Sequence, residues 1–334
     1  MEKLLINILK KYSLSVKSIE IVKDLNIQNW HNDKHFKILV NNKAYSARFI
    51  SKHRSNNEFF GELSDEIIEE QIKFTELLVE NRIPFMHIVK SRKNERFLSV
   101  LIDNQSYRFI LFKWIDGIHI TNFNHTITEK VGIMAASFHE TAAQIKCNSF
   151  SKKSHLIAYE GFVNRLMVEL NSKDILKKNK TLLSDYLELT KLHINNAQTD
   201  QFEFIIQSDL NPLNIIWDNE DLTIKGIVDF ESITYVDRIE GLAWLIKWYS
   251  KTSENTSVDM SKNLVGKFMN KYCDHFQIRT EHINRLSSLL WLSGCINWGF
   301  YRKTLNLINT DENKLKPHLD YYLRRWKELK ALLI

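Results

Sequence analysis

The sequence predicts an α+β protein in two lobes, a small mixed β-sheet lobe followed by a larger, mostly helical one. Three observations carry this. Alternating apolar runs bounded by turn residues crowd into the first 112 residues, the period-two pattern of strands. From Lys113 onward apolar positions recur every three to four residues, interrupted by one compact β segment between Phe202 and Ser232. Only nine glycines and three prolines punctuate 334 residues, too few turn formers for an all-β sandwich. The expected organisation is a first lobe over residues 1–112, a hinge at 113–117 and a helical lobe over 118–334.

The N-terminal MEKLLINILKKYSLS reads as an amphipathic helix, because its apolar stretch is too short for a secretory signal. Phe36–Val40 and Lys43–Ile50 form a hairpin turning on Asn41-Asn42, with Arg48 on the face opposite Tyr45 and Phe49. Residues 64–82 place Ile68, Ile72 and Val79 at helical spacing, and Arg82-Ile83-Pro84 ends that helix. Arg96–Ile102 and Ser106–Phe112 read as strands joined at Asp103-Asn104-Gln105. After Lys113-Trp114-Ile115-Asp116-Gly117, Thr126 and Glu129 supply a capping box for a helix carrying Val131, Ala135, Phe138 and Ala142. Trp291, Trp298 and Tyr301 fall on a helical period and are expected in the core.

Composition narrows the function classes. Hydrophobic residues at 44% and charged residues at 26% describe a soluble globular chain. Cys147, Cys273 and Cys295 are odd in number and lack C-x-x-C spacing, which excludes a disulfide framework or thiolate zinc site and makes a reducing cytoplasm the expected location. No apolar run approaches the roughly 18 residues of a membrane span. The net charge is +6, and residues 250–334 hold 14 Lys and Arg against 8 Asp and Glu, so the first 249 residues are balanced. These cations are spread at helical spacing instead of clustering with stacking aromatics, so no nucleic-acid partner is expected.

The stretch between Phe202 and Glu231 carries the chemistry. An apolar strand delivers Asp209 into a loop stiffened by Pro212, with Asn214 at its exit; a hairpin turning at Asp218–Asp221 then returns Asp229 to the same end. Asp209, Asn214 and Asp229 are expected to converge. Two such side chains can share a Mg²⁺ with nucleotide phosphates while a separate carboxylate orients a hydroxyl. Asn214 and Asp229 suit the metal, and Asp209 the hydroxyl. Taken singly, these residue types also cap turns and close Asx-turns.

Asp209-Leu-Asn-Pro-Leu-Asn214, followed by Ile227-Val-Asp229-Phe-Glu231, resembles the catalytic segment of the aminoglycoside phosphotransferase and choline kinase superfamily, H-G-D-L-x-P-x-N and then I-D-F-E/D. The resemblance runs from about residue 36 to 246 and implies a protein-kinase-like bilobal fold. It implies that Arg48 contacts the α/β-phosphates, paired with Glu69 or Glu70, of which counting back from Pro84 favours Glu70. Tyr107–Gly117 is similar to the hinge strand and linker that hold the nucleotide base, which puts Phe112, Lys113, Trp114 and Ile115 there. Ala135–His139 resembles the L-A-x-L-H helix, with His139 making a buried contact. The implied activity is transfer of the γ-phosphoryl group of ATP (or GTP), with Mg²⁺, to a hydroxyl of a metabolite or antibiotic. The net-basic region 250–334 tilts the expected acceptor towards a neutral or anionic molecule.

The chain departs from the pattern at four points. Gln207-Ser208 replaces His-Gly, and Glu240-Gly241-Leu-Ala-Trp244 stands where D-L-A-W is usual. Residues 22–36 hold no glycine, and Arg48 stands for Lys. The first two motivate an alternative, a kinase-like binding or structural protein similar to the spore-coat relatives. A protein kinase is disfavoured, because about ten residues separate Glu231 from Gly241 and leave no space for an activation loop.

Overall fold

The computed structural model describes residues 1–26, 32–52, 63–172, 176–252 and 260–332. The glycine-free stretch 22–36 therefore lies partly outside the described residues. In chain order the elements are α1 (Glu2–Leu9), β1 (Ile19–Asp24), β2 (Lys34–Val40), β3 (Lys43–Ser51), α2 (Asp65–Glu80), β4 (Leu98–Ile102), β5 (Gln105–Lys113), α3 (His125–Ala143), α4 (Leu156–Ser172) and α5 (Lys177–Ala197). There follow β6 (Phe204–Gln207), β7 (Ile215–Trp217), β8 (Ile224–Ile227), β9 (Thr234–Asp237), α6 (Arg238–Tyr249), α7 (Lys262–Cys273), α8 (Thr280–Cys295), α9 (Trp298–Thr310) and α10 (Leu315–Ala331). Two compact units result. The first comprises residues 1–118, 147–150 and 214–233, and the second 119–146, 151–213 and 234–334.

In the first unit five antiparallel strands lie in the order β1-β2-β3-β5-β4. Asn41 and Asn42 turn the β2–β3 hairpin with φ of 49° and 65°, and Asp103 and Asn104 repeat the geometry between β4 and β5 at 48° and 63°. Asn and Asp tolerate this left-handed region, which a two-residue hairpin needs. The Asn41 carboxamide oxygen also accepts the backbone N–H groups of Lys17 and Ser18 at 2.8 and 3.0 Å. It thereby feeds in β1, a strand the sequence pattern misses because most of its residues are exposed. Leu5, Ile8 and Leu9 of α1 join Tyr12, Ile38, Phe49 and Phe109 in one buried cluster, with the Phe49 and Phe109 rings 4.8 Å apart. Ser64 caps α2 through the Ile67 N–H. The β7–β8 hairpin belongs to this unit, and Ile118 and Trp217 exchange backbone hydrogen bonds of 2.9 Å. Gly117 is needed at that crossing, since a Cβ there would stand 2.3 Å from the Trp217 carbonyl oxygen.

The second unit is helical around the two-stranded β6–β9 ladder. β9 follows the point where the sequence pattern ends the β segment. The cap of α3 is Asn124, not Thr126: its side chain accepts the Ile127 N–H at 2.9 Å, so Thr126 already lies within the first turn. Trp291 is buried as expected, while Trp298 is half-buried against Phe162 and Tyr301. His139 is fully buried with Nδ1 2.7 Å from the Tyr272 hydroxyl. Burial, with the Arg238 charge adding to it, pushes its pKa down to about 3, so it is a neutral packing group.

Candidate active site

In the first unit, strand register puts His35 opposite Arg48 and carries Ser46 and Arg48 on one face of β3. The His35 ring lies 2.7 Å from the Ser46 hydroxyl, and burial followed by the Arg48 charge lowers its pKa to about 4. Arg48 forms an ion pair with Glu231 and stands 3.9 Å from an Asp229 carboxylate oxygen. The guanidinium also approaches the Phe230 ring, 6.0 Å from its centroid. Asp229 has a φ of 70°, a conformation that costs a non-glycine residue free energy and is retained mostly where function fixes it. Its neighbours are pinned. The Val228 N–H bonds the Asn214 carbonyl at 2.8 Å, and Gln71 on α2 donates to the Glu231 and Ile233 carbonyls at 2.9 and 3.0 Å.

Asn214 and Asp229 are thus tied through adjacent backbone. The Arg48–Glu70 pair is not formed. Arg48 is taken by Glu231, while Glu70 bonds Lys73 at 2.6 Å and Glu69 bonds Arg96 at 2.7 Å. The physical reason is proximity. The backbone at Asp229–Glu231 is clamped by Gln71 from the buried face of α2, whereas Glu69 and Glu70 find Arg96 and Lys73 first. Glu231 and Gln71 are the residues that motif reading gave no role. A polar residue between Ile68 and Ile72 on an otherwise apolar stripe was the available signal for Gln71.

Asn214 and Asp229 each offer a side-chain oxygen, the donor type that Mg²⁺ takes beside phosphates and water; among the described residues no group of three His, Cys, Asp or Glu side chains could hold a metal. The Phe112 side chain is buried against Phe230, ring centroids 5.4 Å apart, so it packs the core. Lys113 is exposed and Ile115 half-buried. Trp114 donates its indole N–H to Asp116 at 2.8 Å, and Lys37 stands 4.3 Å from the ring centroid.

In the second unit Asp209 leaves β6 exposed on its loop. Asn211 donates to its carboxylate at 2.8 Å and accepts the Leu213 N–H at 2.9 Å. Tyr249 donates its hydroxyl to the Leu210 carbonyl at 2.8 Å; burial and then the Asp209 charge push the phenol well above its ordinary pKa. The two departures at Gln207 and Gly241 meet here. A Cβ on residue 241 would lie 2.3 Å from the Gln207 carboxamide oxygen, so the buried Gln207 side chain fills space that only glycine leaves open. Asp237 caps α6 and pairs with Arg285 at 3.0 Å. Glu240 beside it is 1% exposed, and burial plus the Asp237 charge push its pKa up to about 8.

No helix among the described residues is long and apolar enough to cross a membrane. No curated protein matches the chain. Among solved structures the chain is similar to an amicoumacin kinase in complex with AMP-PNP, Ca²⁺ and Ami, at 12% identity and TM-score 0.62 over 99% of this chain and 93% of that one. It is also similar to a microcompartment-associated aminopropanol kinase, at 14% and 0.64 over 100% and 98%. An aminoglycoside phosphotransferase from Alicyclobacillus acidocaldarius subsp. acidocaldarius aligns at 12% and 0.62 over 97% and 92%. These likenesses make the fold protein-kinase-like. Residues 30–263 match the model of the phosphotransferase enzyme family, and the chain belongs to that family.

Proposed function

We propose that the protein is an ATP- or GTP-dependent small-molecule kinase that moves the γ-phosphoryl group to a hydroxyl. The observation that carries this is Asp229, held at a φ of 70° with Arg48 3.9 Å from its carboxylate and its neighbour Val228 bonded to Asn214. Asn214 and Asp229 would hold Mg²⁺, which neutralises charge on the phosphates when bound. Arg48, a fork of donors already at the carboxylate edge, contacts the α/β-phosphates. Backbone at Phe112–Ile115 and the Trp114 ring receive the base. Asp209, exposed and oriented by Asn211, accepts the hydroxyl proton, and little covalent work is asked of the protein beyond positioning and charge.

The test is a thermal-shift titration with ATP, GTP and their non-hydrolysable analogues, with and without Mg²⁺, followed by ADP or GDP release across a panel of hydroxyl acceptors. A melting-temperature rise that requires Mg²⁺ is expected, because a ligand of the native state stabilises by linkage. No shift with any nucleotide rejects the kinase reading. A Mg²⁺-dependent shift with no turnover on any acceptor favours the binding-protein alternative that Gln207 and Gly241 motivate.

A further inference from the structure

On α2, Gln71 is the one amide in a buried stripe that otherwise holds Ile68, Ile72, Phe74, Thr75 and Leu78. Thr75 satisfies its hydroxyl within the helix, on the Ile72 carbonyl at 2.8 Å. Gln71, 2% exposed, reaches out of the helix instead, and its Nε2 donates to the Glu231 and Ile233 carbonyls at 2.9 and 3.0 Å. Both donors of the carboxamide are thereby engaged. A flipped amide would set its oxygen against two carbonyl oxygens, so the orientation is fixed. The Gln71 oxygen is left buried with no hydrogen-bond partner, a cost that Leu or Met at the same position would not carry. A residue kept at that cost has a task that its two bonds perform.

What those bonds hold is the anchor of Arg48. Residues 228–233 are pinned by the Val228 N–H on the Asn214 carbonyl, by the Phe230 ring on Phe112 and by Gln71 on the carbonyls of residues 231 and 233. Between these pins the two carboxylates divide the Arg48 fork. Nη2 pairs with Glu231, whose side chain is 8% exposed, while Nη1 stands 3.9 Å from Asp229, whose side chain is 37% exposed. The second separation is too long for a hydrogen bond, so Nη1 is presented at the more open carboxylate. His35, across the strand pair, stays neutral with its pKa lowered to about 4 and adds no positive charge to compete for Glu231. A guanidinium is planar and rigid, so anchoring one prong aims the other.

We propose that Gln71 is a positioning residue for the nucleotide phosphates: by clamping residues 231–233 it fixes the Glu231 carboxylate that anchors one prong of Arg48, and so aims the other prong, beside Asp229, at the phosphates. The proposal rests on the kinase reading above. It moves the anchoring of the phosphate-binding cation from an acid on α2 to Glu231, and leaves α2 an amide whose work is done on backbone.

The test is calorimetric titration of the full-length protein with Mg–AMP-PNP, or Mg–GMP-PNP where guanine is the preferred base, and with the matching nucleoside, which carries no phosphate. Gln71→Met keeps the volume and removes both donors. It should weaken the Mg–nucleotide about tenfold or more, the scale of one charge-assisted hydrogen bond, and leave nucleoside affinity unchanged. In an Arg48→Lys background, where a single ammonium cannot hold Glu231 and the phosphates in a fork, the further loss from Gln71→Met should shrink to about twofold or less, because residues acting through one another are not additive. Should Gln71→Met fail to fold, Gln71→Asn, one methylene short of the two carbonyls, carries the same comparison. Equal weakening of nucleotide and nucleoside, an unchanged nucleotide affinity, or a full loss that persists in Arg48→Lys overturns the proposal and leaves the kinase reading untouched. A wild type that binds neither Mg–nucleotide rejects the kinase reading and the proposal with it.

Discussion

Arg48 in the first unit, 3.9 Å from an Asp229 oxygen, and Lys247 in the second, within the field of Asp209, are both half-buried cations, yet their surroundings differ. Arg48 arrives with two carboxylates, Asp229 and Glu231, so its charge is compensated within the unit. Lys247 donates to the Ser293 carbonyl, and burial, then the Arg325 and Lys251 charges, lower its pKa to about 7. A compensated cation can hold structure together and still turn towards phosphates. A cation whose pKa is pulled down by burial and by like charges works against the folded state.

The largest effect separates the chemistry of the two units. Asp209→Ala should lower turnover about 10²–10⁴-fold, the range for loss of a positioned general base, while leaving the Mg–nucleotide thermal shift in place. Asp229→Ala should instead remove the Mg²⁺ dependence of that shift. Full turnover in Asp209→Ala takes Asp209 out of the mechanism, and a retained Mg²⁺ dependence in Asp229→Ala takes Asp229 out of the metal site.

Denaturant unfolding tests the charge contrast directly. Arg48→Met takes a cation away from Asp229 and the buried Glu231 side chain, and should destabilise by about 3 kcal/mol, the scale for breaking a buried pair from one side. Lys247→Met removes a repelled cation and should be neutral or stabilising by about 1 kcal/mol. The pH dependence carries the same sign. Folded Lys247, with its pKa lowered from 10.5 to about 7, binds fewer protons than the unfolded chain above pH 7, so its penalty fades as pH rises from 7 towards 10.5. Equal losses for both variants would erase the distinction between the two environments.

Glu240 gives the opposite slope. Its folded pKa is raised from 4.5 to about 8, so between those values the native state binds more protons than the unfolded one, and stability falls as pH rises. At about 1.4 kcal/mol per pH unit, the loss between pH 5 and 7 should be about 2–3 kcal/mol. Glu240→Gln should flatten that limb; an unchanged slope assigns it to another group.

How much was legible in the sequence follows from which interactions are local. The Asn41-Asn42 hairpin, the α2 span and the Asp209–Asn214 and Asp229–Glu231 motifs depend on residues close in the chain, and period and turn chemistry expose them. β1 is hard to read because its alternation is confined to Ile19 and Ile21, and the exposed Val22, Lys23 and Asp24 that follow break it. The partner of Arg48 was misjudged because Glu231 lies 183 positions away, and no local pattern distinguishes it from Glu70. Lys247 on α6 meets the Ser293 carbonyl on α8, and Arg325 on α10 lies beside Gly294, contacts between segments too far apart in the chain for any local pattern to show.

The smallest effect concerns Gln207 and Gly241, which read in sequence as two separate losses from the family pattern. In the fold they are one substitution in two places. The Gln207 side chain occupies the position that a Cβ on residue 241 would need, 2.3 Å from its oxygen, and Gln207 is 2% exposed in the strand that leads to Asp209. Gly241→Ala alone should force Gln207 aside and cost about 1–3 kcal/mol, as overpacking does. Gln207→Ala alone leaves a void beside β6. Combining them lets the small residue relieve the clash, so the double variant should be more stable than the sum of the single losses by about 1 kcal/mol, within the range of contacting pairs. Strict additivity would mean that the two positions do not feel each other. A coupling that also restores turnover lost in Gly241→Ala would show that this pair positions the Asp209 loop, the role the replaced His and Asp suggest.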